Sequence, residues 1–277
     1  MDIPALASHS FKIAERFSLH LIYSTMAYIC LSLLQASQIG AAMRKSIIGL
    51  WIIIVLFCGS VAGSQSASNG KPDSSQPYLM VDLVYNFDVY QRPVFFLPKA
   101  HPTFVIWLEE SVTGYRKSIF VTRKAGKNAW NFADSRPEAI PVWYGISKIE
   151  KRQNAFDIDA ISGATPKDDT ARIYWQIPDS LKDKTVDIYI EANNSFDFNE
   201  HYNNKKGKPG YSGANGQPSI IWKTSIDFSR NDPQNISPEI IGHGHLYGEN
   251  HRLFDDTSKI TTAAKTFQEI RISYFRP

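Results

Sequence analysis

From Tyr78 onward, apolar and polar residues alternate with a period of two. Leu79, Val81, Leu83, Tyr85, Phe87 and Val89 fall on one face of the stretch 79–89, and Asp82, Asn86 and Asp88 fall on the other. That is the pattern of a half-buried strand, because successive side chains of a strand point to opposite faces. Thr103 to Glu109 (TFVIWLE) is apolar on both faces, as expected of a central strand between two layers. Ser118 to Arg123 (SIFVTR) follows it across a turn at Thr113-Gly114. The pattern returns in Ala171 to Ile177, Thr185 to Ala192, Ser219 to Phe228 and Gln268 to Tyr274. In the second of these, Val186, Ile188 and Ile190 oppose Asp187, Tyr189 and Glu191. Seven such strands, with turn signals between them and no amphipathic helix of useful length after residue 77, predict an all-β sandwich.

Two longer excursions interrupt the strands. Lys124 to Asn154 carries Trp130, Pro137, Pro141 and Trp143, and we expect it to be ordered by its tryptophans. Asn193 to Pro218 is rich in Asn, Gly and Lys, and we expect it to be mobile.

Ahead of the alternating region the pattern changes. Met43-Arg44-Lys45, the apolar run Ile47 to Phe57 and the small residues from Cys58 to Gly63 follow the order of a secretory signal. The run is shorter than the roughly 20 residues a helix needs to span a bilayer. Residues 43–62 therefore read as a signal peptide or membrane anchor. Residues 1–42 read as an upstream extension from an earlier methionine or, through Leu19 to Ala36, as a marginal membrane helix. Residues 63–77 (GSQSASNGKPDSSQP) read as a flexible linker, and residues 78–277 as the globular domain.

Charge adds little. Four of the 30 basic and two of the 27 acidic side chains precede residue 63, so 26 and 25 remain in the exported part, and no basic patch argues for nucleic acid. Both cysteines, Cys30 and Cys58, also lie upstream, so the core must hold by packing without a disulfide or a cysteine metal site.

Two stretches carry candidate chemistry. In FDIDAISGATPKDD, the string DAISGAT has the spelling a flavin transferase recognises when it esterifies FMN onto a hydroxyl. Thr165 would then be the acceptor, Asp159 would orient the motif, and Ser162, Gly163 and Ala164 would give the close backbone approach that small residues permit. The competing reading is an inter-strand turn, for which an Asp or Ser side chain bonding nearby amides, a Gly and a following Pro are equally suitable. The second stretch is Gly242-His243-Gly244-His245-Leu246-Tyr247-Gly248-Glu249-Asn250-His251, followed by Asp255-Asp256. Strand alternation puts His243 and His245 on one face, where they could share Zn or Cu with His251 or Asp255. The alternative is that the glycines serve turns and the histidines are satisfied locally. Glu109-Glu110 and Asp255-Asp256 read as solvated surface, because neighbours on a strand point to opposite faces. Trp130 and Trp143 read as core filling or as a carbohydrate platform. No nucleophile elbow, phosphate loop or dinucleotide fingerprint is present in the sequence.

TFVIWLEE with its turn into SIFVTR, Trp130, Ile140-Pro141-Val142-Trp143, DAISGATP, ARIYWQIP, TVDIYIEANN and the terminal EIRISY together resemble the DUF2271 family of exported bacterial proteins. The resemblance spans most of Tyr78 to Tyr274, and Arg230 to Thr262 departs from it. It implies an immunoglobulin-like domain of the kind in flagellar hook-capping proteins, with no catalytic activity of its own. It also implies an exported, cell-envelope setting beside membrane redox proteins and flavin transferases. The resulting expectation is an accessory or binding module without a cofactor. A carrier of FMN on Thr165 is the first alternative, and a metal-binding domain built on His243, His245 and His251 is the second.

Overall fold

The computed structural model describes residues 72–91, 99, 101–126, 136–153, 161–163 and 169–277. Its strands are β1 (Tyr78–Tyr85), β2 (Thr103–Glu110), β3 (Tyr115–Thr122), β4 (Ile161–Gly163), β5 (Thr170–Gln176), β6 (Thr185–Asn193), β7 (Ile220–Asp227), β8 (Gln234–Ile236), β9 (Glu239–His243) and β10 (Phe267–Phe275). Between β3 and β4 lie a one-turn helix α1 (Arg123–Gly126) and a longer helix α2 (Pro141–Gln153).

The protein is mostly β, in two sheets. One sheet has four strands in the order β5-β1-β10-β8, and the other has six in the order β4-β3-β2-β6-β7-β9. The pairs are antiparallel except for the short β4, which joins β3 in parallel. All seven strands that the alternation predicts are present, with ends shifted by a few residues. The first of them stops at Tyr85, and residues 86–89 form a turn instead.

Period-two patterning explains the core. Leu79, Val81 and Leu83 of the smaller sheet share one buried cluster with Phe104, Ile106, Leu108, Val186, Ile188 and Ile190 of the larger. Burying a side chain of this size contributes about 1.5–3 kcal/mol. The alternate residues of β2, Val105 and Trp107, point the other way into a second cluster with Val121, Ile221, Ile140 and Trp143. TFVIWLE is therefore apolar on both faces because α2 and its approach cover the outer face of the larger sheet.

Two expectations are corrected. The stretch 124–154 was expected to lack a helix and instead contains α2, thirteen residues long. Pro141 opens this helix at its first position, where a missing N–H costs nothing and the fixed φ suits a helix. The segment Asn193 to Pro218, expected to be mobile, packs as a loop with Asn193, Asn194, Asp197, Asn215 and Gln217 buried. Among the described residues, no helix is long and apolar enough to cross a membrane. The leader and extension at 1–62 lie outside the described residues.

Candidate functional site

DAISGAT falls where the chain changes sheets. Val121 pairs with Ser162 and Thr122 with Gly163, so the string enters β4 at one edge of the six-stranded sheet. The chain next appears as β5, at one edge of the four-stranded sheet. Of the flavin candidates, Ser162 and Gly163 thus have a backbone role in β4, whereas Asp159, Ala164 and Thr165 lie outside the described residues, as does Trp130.

The histidine stretch lies along the opposite edge of the larger sheet, where β9 pairs with β7. His243 and Phe254 exchange both backbone hydrogen bonds, at 2.8 and 2.9 Å. The rings of His243 and His245 flank the Phe254 ring, with centroids 5.5 and 5.9 Å from it. Strand alternation does not extend to this pair, because β9 ends at His243 and His245 lies beyond it. Their Nδ1 atoms are engaged locally: that of His243 lies 2.8 Å from the Gly244 carbonyl, and that of His245 accepts from the N–H groups of Tyr247 and Glu249 at 3.3 Å. Gly242 has φ of +150°, and a Cβ there would lie 2.1 Å from the Phe254 carbonyl oxygen, so the pairing with Phe254 requires glycine.

His251 is placed differently. It sits over Gly145 of α2, where an added Cβ would come within 2.5 Å of the histidine's own Cβ. Its Nδ1 lies 2.8 Å from the Pro141 carbonyl and its Nε2 lies 3.0 Å from Lys148 Nζ. The Lys148 ammonium can only donate, so Nε2 accepts and Nδ1–H donates to Pro141. Among the described residues, no group of three or more His, Cys, Asp or Glu is placed to hold a metal. Of the three histidines in the Zn or Cu expectation, His251 has its partners on α2, and His243 and His245 have theirs around the β9–Phe254 pairing.

Sequence reading missed the carboxyl of Glu191. It lies on β6, is fully buried, and receives the backbone N–H groups of Val142 and Trp143 at 3.2 and 2.8 Å and the Ser219 hydroxyl at 2.7 Å. The residue before Pro141 is Ile140, whose side chain cannot cap a helix, so Glu191 supplies the N-terminal cap from a neighbouring strand. Burial pushes the Glu191 carboxyl up to about 7, against the hydrogen bonds from Ser219, Trp143 and Val142 that favour its charged form. Trp143 completes the attachment by donating its indole N–H to Ser118 Oγ at 2.8 Å. Trp143 is thereby assigned to the core. Glu110, expected at the surface, is also buried. It accepts from Val112 and Thr113 in the β2–β3 turn, and these bonds, that of the Thr113 hydroxyl first, hold its carboxyl at about 2.

The third feature is the loop after β6. Phe196 adopts φ of +65°, uncommon for a bulky residue, and is held there by donating its N–H to the Ala214 carbonyl at 2.9 Å. Gly216, with φ of +73°, lies against the backbone of Asp197 so closely that a Cβ would fall 2.5 Å from its nitrogen. Asn193 Nδ2 donates to the carbonyls of Asn215 and Gln217, and Gln217 bridges Thr261 and Thr262. Arg136 reaches Ser195 Oγ and Asn215 Oδ1, while pairing its charge with Glu138 at 3.2 Å. Burial pushes the Asp197 carboxyl up, and the Thr262 hydroxyl that donates to it, with the Gln217 and Asn194 side chains beside it, opposes that rise.

No protein-family model, curated protein or solved structure matches the chain.

Proposed function

We propose that the chain is an exported accessory or binding module of the cell envelope, an immunoglobulin-like sandwich of the DUF2271 kind without catalysis of its own. The supporting observation is the place of DAISGAT: its Ile161–Gly163 form the edge strand β4 of one sheet, and the next strand along the chain, β5, is an edge strand of the other. Ser162 and Gly163 thus serve as paired backbone of a sheet edge, a role that needs no cofactor. The buried carboxyl of Glu191 is occupied in capping α2. In this reading the partner is an envelope protein, and the resemblance points to a membrane redox protein or a flavin transferase.

A carrier of FMN on Thr165 is the second reading. The motif's own place favours it, because Thr165 follows two positions after the edge strand β4 in the sequence. Co-expression with a flavin transferase, followed by intact-mass measurement and visible absorbance, separates the two. The accessory reading expects unchanged mass and no yellow colour. Addition of one FMN that disappears in Thr165→Val overturns it and establishes the carrier.

A further inference from the structure

The loop after β6 contains five buried polar atoms that reach no hydrogen-bond partner: Asn193 Oδ1, Asn194 Oδ1, Asn194 Nδ2, Asp197 Oδ2 and Ser212 Oγ. Asn193, Asn194 and Asp197 are each 1% exposed. Buried polar atoms are nearly always satisfied, by protein, by ordered water or by an ion, so such a concentration in one loop marks a place for a further group. The loop is otherwise thoroughly bonded. Asp197 Oδ1 accepts from the Thr262 hydroxyl, the Asp197 carbonyl accepts from the Gln217 N–H at 2.8 Å, and Asn215 N–H donates to the Ser212 carbonyl at 2.9 Å. The unpartnered atoms are therefore not the residue of a loose loop.

The donor set decides what kind of group fits. Four of the five atoms are oxygens, one of them from a carboxylate, and the Asn194 amide lies beside that carboxylate without reaching hydrogen-bond geometry. Arg136, which reaches this loop, has its charge paired with Glu138 and donates to Ser195 and Asn215. A water molecule would satisfy some of these atoms but would leave the buried negative charge uncompensated. Carboxylate, amide and hydroxyl oxygens together are the ligands of a hard cation, and calcium accepts irregular sets of them completed by water.

We propose that the Asn193–Gln217 loop holds a calcium-class cation, with the Asp197 carboxylate as its anionic ligand and the oxygens of Asn194, Asn193 and Ser212 as neutral ones. The cation locks the turn at Phe196 and ties the end of β6 to the start of β7. Its effect is structural, on the end of the sheet that also carries Glu191.

The test is equilibrium dialysis of the full-length protein against calcium chloride, with thermal unfolding in parallel. The expected result is one calcium per chain, bound in the range of roughly 10⁻⁴–10⁻³ M typical of extracellular modules. The melting temperature should rise by about 3–6 °C at about ten times the dissociation constant, with no rise from choline chloride at equal ionic strength. Asp197→Asn and Asn194→Ala should each weaken binding by about tenfold or more. Absence of bound calcium at about 10 mM, an equal response to choline chloride, or unchanged binding in both variants overturns the proposal. Should Asp197→Asn fail to fold, the wild-type dialysis and Asn194→Ala decide.

Discussion

Glu191 makes stability depend on pH in a direction opposite to that of most carboxylates. Its ordinary value is 4.5 and burial raises it to about 7, so between those limits the folded chain keeps a proton that the unfolded chain has lost. Stability from this group is complete below pH 4.5 and is lost as pH rises towards and through 7. At about 1.36 kcal/mol per unit of pKa, the loss amounts to about 3 kcal/mol. The group is fully buried, so solvent screening takes little from this figure. The dipole of α2 stabilises the ionised form and makes it an upper bound. Glu191→Gln removes the titration while keeping one acceptor for the Val142 and Trp143 N–H groups, and the amide mismatch there costs a pH-independent amount of about 1–3 kcal/mol. Urea unfolding of both proteins from pH 4.5 to 8 gives the measurement. The informative quantity is the difference between the two curves, in which every group common to both proteins cancels. The wild type should lose up to about 3 kcal/mol relative to Glu191→Gln across the range. A flat difference would mean that the helix terminus offsets burial completely, and a rising one would mean that it more than offsets it. Either result refutes the reasoning.

Two further substitutions test the attachment of α2 and the outer face of the smaller sheet. Gly145→Ala would gain up to about 1 kcal/mol in helix propensity, but its Cβ falls 2.5 Å from the Cβ of His251, an atom too close to the backbone to move away. We expect a net loss of about 1–3 kcal/mol from overpacking, read from denaturant midpoints, and a net gain would show that His251 is not seated as described. Asp82 and Arg172 form a two-pronged pair at 2.7 and 3.0 Å on the outer face of β1 and β5, with the arginine side chain 53% exposed. Asp82 itself is buried, so Asp82→Asn should cost about 1–3 kcal/mol with only part of the loss removed by high salt, and a loss that high salt abolishes would show that the pair behaves as an exposed one.

The strands were legible because period-two burial is written directly into residues such as Leu79, Val81 and Leu83, whose neighbours face away from the core. TFVIWLE also announced a second layer, though not its covering element. Helix α2 was hidden for a physical reason. Its N-terminal cap is Glu191, about fifty positions along the chain, and the local residue at that place is Ile140. The usual signal of Ser, Thr, Asp or Asn before a helix is therefore absent. The loop 193–218 misled through composition. Its Asn, Gly and Lys content describes both a solvated loop and one whose polar side chains satisfy its own backbone, and only the fold distinguishes Asn193 on the carbonyls of Asn215 and Gln217 from an asparagine in water.

The polar face of β6 shows why alternation identifies a strand but not the environment of each face. Asp187, Tyr189 and Glu191 all point away from the inner core, yet Asp187 and Tyr189 are half-buried and Glu191 is fully buried. Asp187 pairs with Lys223 at 2.8 Å near the sheet's open end. Tyr189 is half-buried, stacked on Trp107 at 5.1 Å with the Lys223 ammonium 5.3 Å from its ring centre. Glu191, two residues on, lies beneath the start of α2 with no solvent exposure. Sequence gives these residues one label, polar face, whereas the helix that covers only part of the sheet gives them three environments. The carboxyl of Asp187 is paired with the Lys223 ammonium, whereas that of Glu191 finds its partners in backbone N–H groups and the Ser219 hydroxyl. The packing of α2 and the protonation of Glu191 are thus a single coupled property of this end of the sheet.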